Sequence, residues 1–219
     1  MKQSRSPKDQ PSRRGQRGAV LIVALIFMLL LTILAIGASG RSLLQERMAG
    51  SLRNAQQAQM SAETALRGAE WKLWTSTSNV GGHLDCLNGV ISSDDGCVVY
   101  NPSNPPYGTG GSVTTFRTSQ GWIPTIGHTY MGPGGSIDYT ASSLLTAQLS
   151  NNPMYIIEDM GPELPPGGGT ARESGDTGPN NGGPGQLNTH VFRITARATG
   201  GNPNAVRVVQ STFDAQANN

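Results

Sequence analysis

One uncharged apolar segment near the N-terminus constrains this chain more than any other feature of its sequence. It runs from Ala19 to Ala38 without a charged side chain. At about 1.5 Å per residue, a helix of this length spans the roughly 30 Å hydrocarbon core of a bilayer. We therefore expect a membrane helix here. A secretory signal has a shorter apolar region of about 7–15 residues, although the small residues around Ser39 keep cleavage at that point open as an alternative.

The charges that precede this segment predict its orientation. Six basic residues and a single acid, Asp9, lie before it, and the basic ones are Lys2, Arg5, Lys8, Arg13, Arg14 and Arg17. Positive flanks stay in the cytoplasm, so we expect a single-pass protein of the inner membrane with the rest of the chain in the periplasm. The net charge of the whole chain is only +2, which predicts no basic patch for nucleic acid.

An amphipathic helix is predicted to follow, over residues 41–74. No proline interrupts residues 42–74, and apolar or small side chains recur in steps of three, four and seven residues, which place them on one helical face. These residues are Leu44, Met48, Leu52, Ala55, Ala62, Leu66, Ala69 and Leu73. The membrane segment and this helix therefore indicate one retained element rather than a disposable signal.

A basic leader, a glycine, an apolar helix and an amphipathic continuation together resemble a type IV pilin precursor with a class III signal peptide. The resemblance implies that residues 1–18 are a leader and that a prepilin peptidase cuts between Gly18 and Ala19. It also implies that residues 19–40 are kept, first as a membrane anchor and then as the core helix of an extracellular filament.

Residues 17–70 resemble, more narrowly, the PilX group of minor pilins. The specific parts are "LQERMAG" at residues 44–50 and "AETALRGAE" at residues 62–70, and "FRITARATGG" with "AVRVVQSTF" near the C-terminus is also similar. The positions that carry this signature are Gln45, Glu46, Arg47, Met48, Ala49, Gly50, Glu63 and Glu70.

The resemblance implies a function in pilus assembly. It predicts a minor pilin that helps to prime and assemble type IV pili at the tip, in a complex with other minor pilins and a large adhesin, supporting twitching motility and attachment. The implied partners also include the major pilin, reached through the N-terminal helix, and the prepilin peptidase. A minor pseudopilin of type II secretion, or a membrane-anchored periplasmic enzyme or binding protein, remains an alternative.

Val23 departs from the pattern of the major pilins. It would be the fifth residue of the mature chain, where major pilins carry a glutamate that, by the resemblance, pairs with the N-terminal amine of a neighbouring subunit. A charge at that depth costs about 3 kcal/mol unless it is paired. Because Val23 offers no such pair, we expect a special position such as the tip rather than the repeating shaft. The alternative is that Val23 simply faces lipid.

Residues 75–219 are predicted to form a β-rich periplasmic head, giving a pilin-like α+β fold in which the long helix packs on a small antiparallel sheet of about four strands. Two alternating runs, "HVFRITARA" and "AVRVVQSTF", flank a Gly/Asn/Pro loop and predict a hairpin. Residues 112–117 and 154–159 are further strand candidates. Residues 161–185 are rich in Gly and Pro and are predicted to form a mobile surface loop.

The two cysteines, Cys86 and Cys97, are expected to form a disulfide bond, since the head would lie in an oxidising compartment. Such a bond stabilises the fold by about 3 kcal/mol in the chain-entropy model. The alternative is a metal site that uses Cys97 with His83, Asp94 and Asp95. No second pair of Cys or His residues has the usual zinc spacing, so we expect neither a metal nor a cofactor.

No catalytic constellation is recognisable, and we expect no enzymatic activity. His83, His128 and His190 are widely separated and show no HExxH spacing. The acid pairs Asp94–Asp95 and Glu158–Asp159 are adjacent in sequence, so in a strand their side chains point to opposite faces, and we interpret the second pair as a strand edge. Trp71 and Trp74 are expected to pack in the core, with a partner surface as the alternative.

Overall fold

The computed structural model describes residues 17–77, 84–163 and 189–216. The helices are α1 (Arg17–Thr77) and α2 (Ser112–Thr118), with short 3₁₀ segments at Pro105–Tyr107 and Ser142–Ala147. The strands are β1 (Cys86–Asn88), β2 (Cys97–Val99), β3 (His128–Thr129), β4 (Met154–Pro162), β5 (Thr189–Thr199) and β6 (Val206–Gln216). The chain divides into two compact units, residues 1–50 and residues 51–219.

The first unit contains the apolar part of α1. Its large side chains between Val20 and Ile36 are all exposed by half or more of their surface. The one hydroxyl in this stretch is satisfied within the helix, since Thr32 Oγ1 donates to Leu29 O at 2.8 Å. This helix is long and apolar enough to cross a membrane.

In the second unit, α1 packs on the sheet through a stripe of small side chains. Ala58, Ala62, Ala65 and Ala69 have no exposed surface, and Leu73 is 1% exposed. The steps of three and four residues place all five on one side of the helix. Because alanine adds only a methyl group to the backbone, the helix axis can lie close to the strands.

Within the described residues the sheet has six strands and is mixed, not wholly antiparallel as the sequence suggested. Its order is β1-β2-β4-β5-β6, with β3 paired antiparallel to the first residues of β4. β1 and β2, of three residues each, pair parallel to each other, and β2 pairs parallel to β4. The remaining pairs are antiparallel. Strands this short carry too little periodicity to be recognised in the sequence.

Helices cover both faces of the sheet. Tyr155 and Ile157 of β4 face α1, whereas Met154 and Ile156 pack in a second cluster with α2. The prediction of a strand at residues 112–117 was wrong, because this segment is α2. Its buried residues, Val113 and Phe116, are three positions apart, which brings them to one side of a helix but to opposite faces of a strand.

The predicted hairpin is confirmed. β5 and β6 pair antiparallel from Thr189 with Gln216 to Thr199 with Val206. The alternation of β5 suggested one core face, but α2 lies over the other, so Thr195 and Arg197 are also fully buried.

Candidate interaction surface

The side of α1 opposite its buried stripe presents large apolar side chains to solvent. Met60, Trp71 and Trp74 are 69%, 59% and 64% exposed. The expectation that both tryptophans pack in the core was therefore wrong. The helix already buries Ala69 and Leu73 against the sheet, and residues 71 and 74 lie on the other side of the same turns. We call Met60, Thr64, Arg67, Trp71 and Trp74 the outer helix surface.

A shallow groove runs beside this surface, between α1 and residues 130–133. Gly68 lies at its floor, with Trp71 and Arg67 on one side and Tyr130 and Pro133 on the other. A Cβ at Gly68 would lie only 2.1 Å from Tyr130 Cε2, so the glycine permits the tyrosine ring to approach the helix backbone. This contact explains the glycine in "AETALRGAE", and nothing in the sequence pointed to Tyr130 as its partner.

The predicted disulfide bond joins Cys86 and Cys97, whose Cα atoms are 4.5 Å apart across the β1–β2 pair. The loop that it closes is tied to α1 by Lys72. Lys72 Nζ lies 2.6 Å from Asp95 Oδ1 and donates to Asp94 O at 3.1 Å. Cys97 is thus bonded to Cys86, and Asp95 is paired with Lys72, which argues against the alternative metal site. His83, another candidate ligand of that site, lies outside the described residues.

His128 and His190 are held at opposite ends of β4. His128 pairs with Tyr155 and His190 with Pro162 in the strand ladders. Because β4 has a register shift between Asp159 and Pro162, the separation is taken along β5, where the six residues from Ala196 to His190 give about 20 Å at 3.3 Å per residue. Desolvation lowers the pKa of His128 below its ordinary value, although the nearby Ser93 carbonyl, 3.3 Å from Nδ1, favours the protonated form. The structure therefore does not bring these two histidines into one site.

A cavity of about 320 Å³ adjoins His190, and its lining includes Ser76, Asp85, Cys86 and Asp159. His190 Nδ1 lies 2.8 Å from Asp159 Oδ1 and 3.0 Å from Oδ2. The Ser76 hydroxyl donates to Leu73 O at 3.0 Å. The contact between His190 and Asp159 joins the start of β5 to the end of β4.

Arg197 of β5 is fully buried beneath α2, and Arg193 of the same strand is partly exposed and bonded to Glu158. Arg193 donates to the fully buried Glu158 through Nε at 2.7 Å and Nη2 at 2.5 Å, and this hydrogen bonding raises the pKa of Arg193. Arg197 donates to Phe116 O at 2.6 Å and to Ser119 O, capping the C-terminal carbonyls of α2. Burial lowers the pKa of Arg197. The interpretation of Glu158–Asp159 as a strand edge was wrong, since β4 lies between β2 and β5.

The signature positions of the helix divide between exposed and bonded residues. Residues 45–50 are exposed, and Glu63 accepts a hydrogen bond from Gln59 at 2.8 Å. Glu70 joins α1 to the sheet, because it accepts from Ser211 Oγ of β6 at 2.8 Å. At the other end of the helix, Gly18 lies in the first turn, and Ala19 and Val23 are exposed.

Two family models match the chain. The first, described as type IV pilus assembly protein PilX C-term, matches residues 51–215, and the second, described as PilX N-terminal, matches residues 17–67. No curated protein matches the chain significantly, and no solved structure does so either.

Proposed function

The chain belongs to the PilX family of type IV pilus assembly proteins and is a minor pilin, and from that premise we propose that it primes pilus assembly at the tip. It acts there in a complex with other minor pilins and a large adhesin, and so supports twitching motility and attachment. The family consists of structural pilus components, which fits a role in binding other subunits rather than in catalysis.

The observation that carries this proposal is the apolar surface of α1 between Val20 and Ile36. Its large side chains are all at least half exposed, and no charged residue lies among them. Burying such a side chain is favourable by about 1.5–3 kcal/mol, so the segment needs a bilayer or apolar neighbouring helices around it. A minor pilin meets both environments in turn, first in the inner membrane and then in the pilus.

The basic flank supports the proposed route. Arginines before the apolar segment favour a cytoplasmic N-terminus, which presents Gly18 to a peptidase on that side of the membrane. Cutting between Gly18 and Ala19 removes the leader and leaves the whole apolar stretch on the mature chain. The head is then periplasmic, an oxidising compartment that suits the Cys86–Cys97 disulfide bond.

The outer helix surface is the proposed contact of the head with a neighbouring minor pilin. Tryptophan and methionine are enriched at protein interfaces, and a tryptophan at the centre of one dominates its binding energy. Trp71 and Trp74 lie in consecutive turns of one helix and are both more than half exposed. A neighbouring subunit that packs its own helix along this side would remove them from water.

Leader processing is tested by co-expression with a prepilin peptidase followed by N-terminal sequencing of the product. We expect Ala19 as the new N-terminus, and we expect the variant Gly18→Leu to retain its leader. Gly37→Ala is the matched control, because its site is open and distant from the cut. An intact leader on the unaltered chain, or a new terminus near Ser39, would contradict the proposal.

The tip position is tested separately, by immunogold labelling of an epitope-tagged chain on intact pili. Labels confined to pilus ends, at about one per filament, are expected. Labels spread along the shaft would contradict the tip position but would still show that the chain is part of the pilus.

A further inference from the structure

The sheet ends in one long strand and one very short one. β6 has 11 residues and pairs only with β5 among the described residues. The other end, β1, has three residues, and β3 has two. Short edge strands resist pairing with other chains, whereas a long edge presents a row of unpaired N–H and C=O groups.

The hairpin register shows which backbone groups of β6 face outward. Gly200 N–H donates to Ala205 O at 3.0 Å, and bonded pairs recur at every second residue of an antiparallel ladder. The ladder pairs Ala198 with Arg207 and Ala196 with Val209, so the odd-numbered residues of β6 bond inward to β5. The even-numbered residues, Val208, Gln210, Thr212 and Asp214 among them, direct their N–H and C=O away from the sheet.

Among the residues that the structure describes, β6 lacks the usual protection of an edge. It contains no proline and no lysine, and its eleven pairs with β5 continue without a bulge. Its two charges, Arg207 and Asp214, lie towards its ends, so residues 208–213 are uncharged. Natural edges are commonly interrupted by such devices, and their absence from the middle of β6 indicates an edge built to pair.

The side chains on the two faces of β6 indicate the side-chain pattern of a strand that could pair with it. On the α1 side, Val209 and Phe213 pack against the core together with Leu66 but remain only partly buried. On the α2 side, Gln210 and Thr212 are exposed. The apolar layer between α1 and the sheet is thus partly exposed at this edge. An added strand would cover it with apolar side chains at alternate positions and would carry polar side chains between them.

Pairing with a second copy of this chain over most of the length of β6 is disfavoured by the sequence of this strand. A two-fold antiparallel pair must centre on one residue. Centring on Gln210 sets Arg207 opposite Phe213, and centring on Ser211 sets Val208 opposite Asp214. Each arrangement repeats a charged residue against an apolar one on both sides of the axis, and neither pairs opposite charges.

We propose that β6 receives an extended strand from a different exported protein, which joins the sheet as its next strand with alternating apolar and polar side chains. The proposal rests on the proposed export of the head, and it adds a second contact with a partner, distinct from the outer helix surface. Main-chain hydrogen bonds to the even-numbered residues supply affinity, and the partly buried Val209 and Phe213 favour a partner strand with apolar side chains beside them.

Site-specific photo-crosslinking of the full chain in piliated cells tests the proposal. A photoreactive amino acid replaces Gln210 in one strain and Thr212 in a second, and the exposed Gln56 of α1 serves as the control position. We expect Gln210 and Thr212 to crosslink to one segment of another protein. The crosslinked position in that segment should move by two residues between the two strains, as a ladder requires, and the control should not reach it.

Other outcomes overturn the proposal. An added strand from another protein would be excluded by crosslinks that form only within the same chain or only to a second copy. It would also be excluded by crosslinks that do not shift by two residues, or by the absence of any crosslinked product. Export of the head is tested separately, through the oxidation state of Cys86 and Cys97. Alkylation of thiols in whole cells shows whether these two cysteines are oxidised, as they would be after export. Oxidised cysteines without a crosslink would contradict the strand while leaving export intact.

A backbone variant gives a second measurement. Thr212→Pro removes an N–H that faces outward and spares the bonds to β5, whereas Thr212→Val keeps that N–H. We expect the proline variant to reduce crosslinking at Gln210 at least tenfold and the valine variant to leave it within about twofold. A tenfold change in affinity corresponds to about 1.4 kcal/mol of binding free energy. Thermal unfolding of both variants shows whether the head remains folded, and equal crosslinking by two folded variants would contradict the proposal.

Discussion

Gly68 is the residue at which α1 and the segment after β3 approach most closely. Replacing it with alanine would put a methyl group 2.1 Å from Tyr130 Cε2 and 2.4 Å from Cζ. The ring cannot move away freely, because it packs near Tyr139 and Tyr155 at centroid distances of 6.2 and 6.5 Å. We predict that Gly68→Ala lowers the free energy of unfolding by about 1–3 kcal/mol, the usual cost of overpacking, measured by denaturant titration.

Gly50 provides the matched control for this substitution. It lies in the same helix, and an added Cβ would meet nothing within 4 Å. Alanine is a better helix former than glycine by about 1 kcal/mol, so Gly50→Ala should leave stability unchanged or raise it slightly. A Gly68→Ala variant as stable as Gly50→Ala would show that the contact with Tyr130 adjusts at no cost.

Glu158 and Arg193 form an ion pair in which the carboxylate is fully buried and the guanidinium is partly exposed. Glu158 has no exposed surface, so Arg193→Met would leave a carboxylate without its bidentate partner. We predict a loss of about 3 kcal/mol in the free energy of unfolding, because the uncompensated buried charge is the costly element. The double variant Glu158→Leu with Arg193→Met should recover most of that loss, as a double-mutant cycle will measure. A double variant less stable than the single one would refute this account.

At the scale of elements, sequence reasoning succeeded where the periodicity was long. β5 and β6, of 11 residues each, and the first part of β4 were recognised from alternation or runs of apolar residues. α2 was taken for a strand because seven residues are too few to distinguish the two periods. The burial of Arg197 could not be foreseen, since it depends on α2 crossing the second face of the sheet.

A disulfide bond closes the loop between Cys86 and Cys97, and an ion pair from Lys72 to Asp95 ties that loop to α1. Breaking the disulfide in a Cys86→Ser, Cys97→Ser variant should lower the free energy of unfolding by about 3 kcal/mol, the loop-closure value for a short loop. Lys72→Met removes the ion pair with Asp95 and the hydrogen bond to Asp94 O, both partly exposed to solvent, so we expect about 1 kcal/mol or less. Chemical unfolding of both variants measures the two contributions. An equal or larger loss in Lys72→Met would reverse their order.

At the scale of the whole molecule, the sequence indicated function more clearly than it indicated the fold of the head. The basic flank, the uncharged segment and the motifs around Glu46 and Gly68 carried the resemblance to the PilX family, which the family models confirm. Membrane thickness and helix packing account for the apolar segment and the helical periodicity, but not for the family. The exposure of Trp71 could not be predicted, since it depends on which side of α1 the sheet occupies. The free edge of β6 likewise depends on the strand order.

Val23 tests how a single residue determines where the whole subunit goes in the filament. An unpaired glutamate inside the bilayer costs about 3 kcal/mol, and a pair with the N-terminal amine of a neighbouring subunit would offset that cost only in the assembled filament. We predict that Val23→Glu increases the copy number of this chain in sheared pili, measured by quantitative mass spectrometry against the major pilin. Val23→Gln, of the same shape without the charge, should leave the copy number unchanged. Equal copy numbers for glutamate, glutamine and valine would show that residue 23 does no more than face lipid or apolar helices, and that the position of the subunit is set by its head.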